Sequence, residues 1–334
     1  MSSVILIFII ALAVTLVSTP FVRRLAIAIG FVDAPAQRKL HSTPMPLMGG
    51  VAIFGSSILA LVLAVLRVRP FQSPEVQGIF LACAVVALTG LIDDRVHLPP
   101  WAKFSGQIAG FAILVLFDVY VKLPIPLWLN YVITFVWVTG ITNAINFLDN
   151  MDGLSAGVSG ICAAFVMLLG ALNGQILVSG LAAAVLGACL GFLRYNFKPA
   201  QIFMGDVGAL FLGFLLAILG IQLRFPDNSN AVTWMVPVLI MGLPIFDTSL
   251  VVFSRLRRGI SPLTAGKDHT SHRLVDRGFS QREAVLTLYL MTGVFGMTAI
   301  FVTQANLGEG YFVGGAVAAA AAYVLWRLDR NYKA

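Results

Sequence analysis

The sequence predicts an all-α, polytopic membrane protein, and three observations carry that prediction. Hydrophobic residues fill 59% of the 334 positions and charged ones only 11%, whereas soluble domains carry roughly 25% charged residues. Mean hydropathy is accordingly high, at +0.91. Apolar runs close to the roughly 20 residues that cross a bilayer recur along the whole chain, separated by short polar stretches. Finally, Lys and Arg crowd onto alternate connections between those runs. There is room for about eleven transmembrane helices (ten is possible) and none for a sizeable soluble domain, so residues 1–334 read as one transmembrane domain.

Taken in order, the first run (3–22) has no charge before it and no clear small-residue cleavage site, so it reads as a retained span rather than a signal peptide. Further runs lie near 49–66, 77–92, 103–119, 127–143, 155–172, 176–193, 207–223, 232–253, 284–303 and 311–326. With the N-terminus outside, 18 of the 22 Lys and Arg fall on inner segments, as the positive-inside rule requires. Only Arg67, Arg69, Lys122 and Arg224 stay outside, and eleven spans put the C-terminus in the cytoplasm. The net charge of +7 is therefore topogenic and argues against a nucleic-acid partner. Cys83, Cys162 and Cys189 sit far apart inside apolar runs and read as packing residues rather than a disulfide or metal site. The alanine-rich stretch 316–322 reads as close helix packing.

The chemistry collects on inner connections near 23–48, 93–102, 143–154, 194–206 and 254–283. Carboxylates close to a bilayer are costly unless hydrated, paired or metal-bound, yet Asp93, Asp94, Asp149, Asp152 and Asp206 all border apolar runs. Asp93 and Asp94, followed by Arg95, Pro99, Pro100 and Lys103, are adjacent carboxylates that repel unless a cation intervenes. Such a pair binds Mg²⁺ or acts as a base toward a phosphate; the plain alternative is a polar end to a span. Asn143, Asn146, Asp149 and Asp152 recur every three residues, which puts neighbouring members on one helical face. That stripe suits a metal, a uracil or a sugar, or else polar packing. In Phe203-Met204-Gly205-Asp206-Val207-Gly208 the glycines permit close backbone approach to a ligand, and Asp206 falls near a helix start that attracts phosphate or its metal. Here the alternative is an N-cap. The longest inner segment, 254–282, carries seven Lys and Arg together with His269 and His272; with Arg273 these are donors suited to a diphosphate or a leaving UMP, or a purely topogenic basic loop. Arg38, Lys39 and His41 meet a phosphate or lipid headgroups. Asp247, within a span near Pro244, reads as structural support.

In this order, GFVDAPAQRKLHSTPMPLMGG, GLIDDRVHLPPWAKFSGQ, NAINFLDNMDGL, FMGDVG and HTSHR resemble the polyprenyl-phosphate N-acetylhexosamine-1-phosphate transferases. The likeness runs from about residue 30 to 282. It implies Mg²⁺-dependent (Mn²⁺ as substitute) attack by undecaprenyl phosphate on the β-phosphate of a UDP-N-acetylhexosamine, releasing UMP, in a bacterial plasma membrane with the active site facing the cytoplasm. UDP-GlcNAc is the expected donor, with UDP-MurNAc-pentapeptide the alternative, and a homodimer is allowed. By the same resemblance Asp93 and Asp94 form the acidic pair, with Asp93 as base or phosphate-positioning group. Asn146 and Asp206 hold the metal. Asn143, Asp149 and Asp152 line the nucleotide-sugar pocket, while His269, His272 and Arg273 meet the diphosphate. Ser271 departs from the commoner middle histidine, and Val207 and Ala209 replace small hydroxylated residues.

Two other classes fit the sequence less well. A secondary transporter of an anionic metabolite would suit intramembrane charges, but these acids cluster toward one face and no inverted repeat is evident. A CDP-alcohol phosphotransferase needs an arginine and further aspartates that Asp152-Gly153-Leu154-Ser155-Ala156-Gly157 lacks.

Overall fold

The computed structural model describes residues 2–33, 44–66, 72–262, 264, 266–330 and 332. The chain divides into two compact units, Met1–Leu223 and Arg224–Ala334. Both are helical, and the sheet among the described residues is one short hairpin, Val32–Asp33 (β1) paired antiparallel with Met45–Pro46 (β2).

The first unit holds α1 (Ser2–Ala28), α2 (Gly49–Val65), α3 (Pro74–Val96), α4 (Pro100–Leu116), α5 (Leu127–Leu148), α6 (Leu154–Leu172), α7 (Ile176–Asn196) and α8 (Gly205–Gln222). Pro74 and Pro100 start α3 and α4, where a missing N–H costs nothing and the fixed φ is helical. His97, at φ 55°, turns the chain out of α3. At the centre stands α8, buried at every position from Val207 to Ile221, which is the pattern of a helix apolar all round. Since lipid is as apolar as leucine, such packing depends on small residues that let backbones approach. A Cβ on Gly50 would lie 2.1 Å from the Gly208 nitrogen, one on Gly90 2.6 Å from the Asp206 carbonyl, and one on Gly213 2.7 Å from Thr142 Cα. Small residues thus seat α8 against α2, α3 and α5.

The second unit holds α9 (Asn230–Thr233), α10 (Met235–Ile240), α11 (Gly242–Arg257), α12 (Thr270–Val275), α13 (Gln281–Gln304) and α14 (Leu307–Asp329). The α9–α10 stretch and α11 meet at a 71° bend, where Pro244 has no N–H to offer the Ile240 carbonyl. Ser280 with Glu283, and Asn306 with Glu309, form capping boxes that start α13 and α14 by satisfying orphan backbone donors in both directions.

Every expected apolar run is helical, but the one expected at 232–253 is broken into α9, α10 and α11. Eight described helices are long and apolar enough to cross a membrane, or nine with the bent pair counted as one span; α2 and α4 are 17 residues each. The chain is an all-α polytopic membrane protein. Two helix ends differ from expectation where the site lies: α3 and α5 run on past their apolar stretches, so Asp93, Asp94, Asn143 and Asn146, expected on inner connections, are helical.

Candidate active site

The site in the first unit is built around the start of α8. Two N–H groups at the start of α2, which have no partner within their own helix, bind the chain just before it: Gly49 donates to the Phe203 carbonyl (2.9 Å) and Gly50 to that of Met204 (2.7 Å). Phe203 N–H in turn donates to the Pro46 carbonyl (2.9 Å). The first N–H groups of α8 go to Asp94, whose Oδ1 accepts from Asp206 (2.8 Å) and Oδ2 from Val207 (3.2 Å). An anionic cap complements the helix dipole. Only glycine fits before it: Gly205 has φ +72°, and a Cβ there would sit 2.5 Å from Asp94 Oδ2. Two expectations are corrected here. The N–H groups of α8 expected to hold phosphate are taken by Asp94, and Gly205 and Gly208 accommodate Asp94 and Gly50 rather than a ligand.

With its N–H capped, Asp206 presents its carboxylate to three helices. Lys103, from the first turn of α4, bridges Asp206 and Asp93, its Nζ lying 3.0 Å from Asp93 Oδ2. Asn146 Nδ2 donates to Asp206 Oδ1 (2.8 Å). The other oxygen of Asp93 accepts the Leu98 N–H (2.6 Å), which fixes the turn out of α3. One turn deeper the same helices are tied by a pair of amides. Asn143 Nδ2 donates to Gln107 Oε1 (2.8 Å) and to the Thr139 carbonyl (2.7 Å), and Gln107 Nε2 returns a bond to Asn143 Oδ1 (3.2 Å).

The last two aspartates of the stripe differ in kind. Asp152 accepts the Ala200 N–H (3.0 Å) and lies 3.3 Å from Lys198 Nζ. Beside it Gly153 N–H donates to Asn196 Oδ1 (3.0 Å), and Asn196 Nδ2 to the Ile202 carbonyl (3.0 Å), so Asp152 stands in a network that shapes the α7–α8 connection. The Asp149 N–H caps α5 by donating to the Asn146 carbonyl (3.1 Å), and its carboxylate makes no hydrogen bond or ion pair among the described residues. Burial, then the charges of Asp206 and Asp152, push its carboxyl up to about 7.

No three His, Cys, Asp or Glu side chains among the described residues form a ready-made metal cluster. Mg²⁺, however, takes one or two carboxylates and completes its shell with water and substrate phosphates. Asp93 and Asp206 already flank one cationic centre, the Lys103 ammonium, and the Asn146 amide holds the other oxygen of Asp206. That donor set fits a hard divalent ion.

In the second unit, Asp247 is fully buried in α11 and accepts from Thr270 N–H (2.6 Å); its Oδ2 lies 2.8 Å from His269 Nδ1, as its expected supporting role requires. His272 is half-buried, its rings 6.1 Å from those of His269. Burial, then repulsion from His269 and Lys267, hold its imidazole below the usual range. Asp268 takes a two-pronged bond from Arg255 (2.6 and 2.9 Å) and another from Arg258 (2.6 Å). Burial alone would raise its pKa, but the two guanidinia hold it at about 2. Arg273, expected at a diphosphate, is fully buried and donates instead to the Asp268 and Leu328 carbonyls and to Ser254 Oγ. Much of the expected basic surface is thus spent on the protein itself. Arg38, Lys39 and His41 lie outside the described residues.

Sequence reasoning missed Gln107, Asn196 and Asp268. Gln107 had a signal, since it follows Lys103 by one helical turn and so shares its face. Asp268 and Asn196 had none, because their partners come from other helices.

Residues 76–224 match the family model described as Glycosyl transferase family 4. A probable undecaprenyl-phosphate N-acetylglucosaminyl 1-phosphate transferase of Bacillus subtilis is 36% identical over 325 residues, covering 94% of this chain and 88% of its own length. The chain belongs to the polyprenyl-phosphate N-acetylglucosamine-1-phosphate transferases of glycosyl transferase family 4. Members at greater distance include a decaprenyl-phosphate N-acetylglucosaminephosphotransferase of Mycolicibacterium smegmatis (33% identical; 91% of this chain, 83% of that one). An undecaprenyl-phosphate alpha-N-acetylglucosaminyl 1-phosphate transferase of Yersinia pestis is 26% identical over 84% of this chain and 81% of its own. As a member of this family the chain is an enzyme of the sugar-phosphate transferase type. The stretch matched by the family model contains all of the acidic site, from Asp93 to Asp206, and ends before the histidine segment.

Proposed function

We propose that this enzyme transfers GlcNAc-1-phosphate from UDP-GlcNAc to undecaprenyl phosphate at the cytoplasmic face of a bacterial plasma membrane, releasing UMP and starting a cell-envelope polysaccharide. The observation that carries the reading is the meeting of Asp93, Lys103, Asn146 and Asp206 at the ends of four helices, with Lys103 between the two carboxylates and Asn146 bonded to Asp206. Carboxylates at helix ends reach an acceptor phosphate at headgroup depth without drawing its prenyl chain out of the bilayer. The names of the relatives favour GlcNAc over UDP-MurNAc-pentapeptide.

Mg²⁺, held by Asp206, Asn146 and Asp93, would supply Lewis-acid neutralisation of the phosphate oxygens. The residues divide the remaining work. Lys103, between Asp93 and Asp206, would pair with a phosphate of the donor. Asp93, beside Lys103, is the base or phosphate-positioning group. Asp149, whose carboxyl is pushed up to about 7 by burial and the charges of Asp206 and Asp152, lines the nucleotide-sugar pocket. Asp94 and Asp152 hold the frame. His269 and His272 are the donors assigned to the diphosphate.

Purified enzyme, undecaprenyl phosphate and Mg²⁺ tested against a panel of UDP-sugars should release UMP with UDP-GlcNAc, and EDTA should abolish it. Release with UDP-MurNAc-pentapeptide alone would replace the donor. Folded protein that releases UMP from no donor would sink the transferase reading.

A further inference from the structure

The segment that carries the two histidines is held in an unusual way. Its buried residues are Asp268, His269, Thr270, Ser271 and Arg273, all of them polar. Hydrogen bonds rather than apolar packing therefore set its place, and many of them come from the far end of α14. Leu328 offers its carbonyl to Arg273 Nη1 (2.9 Å), and Asp329 Oδ1 lies 3.5 Å from the same nitrogen. The Tyr332 ring covers the guanidinium, with Cζ 4.0 Å from the ring centroid. Tyr332 Oη also donates to the Lys267 carbonyl (3.1 Å). Asp329 is fixed in turn by Arg257 of α11, whose Nε donates to Oδ2 (2.6 Å) and whose Nη2 donates to the Asp329 carbonyl (3.2 Å).

These contacts bracket the histidines. Lys267 and Asp268 are held just before His269, and Arg273 immediately after His272. A buried guanidinium is stable only with its charge balanced and its donors satisfied. Asp268 is committed to Arg255 and Arg258; Asp329 takes Arg257 on Oδ2 and turns Oδ1 to Arg273, so the two guanidinia share its charge.

We infer that Asp329 and Tyr332 are positioning residues which, through Arg273, hold His269 and His272 in the arrangement the reaction uses. The assignment of those histidines to the donor diphosphate is that of the proposed function, and the inference rests on it. Asp329 touches no substrate in this scheme and acts only by fixing where the histidine segment lies.

The experiment compares wild type, Asp329→Asn and Tyr332→Leu in detergent by two readouts. One is the rate of tryptic cleavage after Lys267; the other is kcat and KM for UMP release from UDP-GlcNAc. Both variants should be cut after Lys267 at least about tenfold faster and lose at least about tenfold in kcat/KM, because small misplacement of positioned groups is costly. The global melting temperature should move little in Tyr332→Leu, which lies outside any helix and keeps the test valid if Asp329→Asn fails to fold. Unchanged cleavage, or faster cleavage with unchanged kcat/KM, would overturn the positioning role while leaving the transferase reading intact. Absence of UMP release from wild type would instead overturn the transferase reading, and the positioning role with it.

Discussion

The acidic cluster of the first unit and the basic cluster of the second solve opposite charge problems. Around the start of α8 lie Asp93, Asp94, Asp149 and Asp206, of which Asp93 and Asp206 share the ammonium of Lys103 while Asp94 accepts backbone N–H groups. In the histidine segment and its surroundings, Asp268 and Asp329 serve Arg255, Arg257, Arg258 and Arg273, nearly every donor of which is hydrogen-bonded. The first cluster is short of positive charge and so has use for a cation. The second has more guanidinia than carboxylates, but its donors are spent on carbonyls, a hydroxyl and those carboxylates. Crowded charges alone therefore do not mark a ligand site; what marks it is charge that the protein's own hydrogen bonds leave unsatisfied.

The largest expected effect breaks the comparison on the acidic side. Asp206→Ala should lower kcat/KM for UMP release by about 10²- to 10³-fold, the scale of losing one preorganised electrostatic group. A loss under tenfold would mean that the cluster is structural. On the basic side, Asp268→Ala leaves two guanidinia without their carboxylate and should destabilise the fold by about 3–5 kcal/mol, read as lowered melting in detergent. An unchanged melting temperature would show that Asp268 does not hold the network together.

Titration separates the two regions further. Asp149 keeps its proton up to about pH 7, above the ordinary carboxylate value near 3.9. A raised acid favours the folded state below the ordinary value, and that advantage is lost as pH rises through the folded one. Cation-free Asp149→Asn should therefore gain melting temperature over wild type at pH 8 and not at pH 4. Mn²⁺ binding by wild type, followed by electron paramagnetic resonance, should tighten up to about pH 7 and then level off; in Asp149→Asn this dependence should be reduced. Asp268 has the reverse sign: held at about 2, its ion pairs contribute in full above the ordinary carboxylate value and are lost only as pH falls through about 2. Between pH 5 and 8 they should add no slope. The smallest effect is a control: Lys122→Ala removes an exposed pair with Asp118 and should leave melting and activity unchanged, as surface pairs do.

Legibility in the sequence followed the range of the interaction. Spans, the stripe of Asn143, Asn146 and Asp149, and the supporting place of Asp247 were all readable, because hydropathy and helical spacing are local. Asp94 shows where reading stopped. Its neighbour Asp93 and its own charge were plain, but its role as the cap of α8 depends on a helix more than a hundred residues away. Arg273 misled for a related reason, since an arginine beside two histidines looks like a ligand for phosphate until Ser254 and Leu328 are seen to receive it.

By itself, then, the sequence determined that this chain is a helical membrane enzyme and which residues carry its charges, because bilayer length, side-chain hydration and motif order are properties of the chain alone. Tertiary structure decided which charges are satisfied and which are left over. Pairing depends on distances between helices, and those were set by glycines such as Gly50, Gly90 and Gly205, whose importance lies in what packs against them.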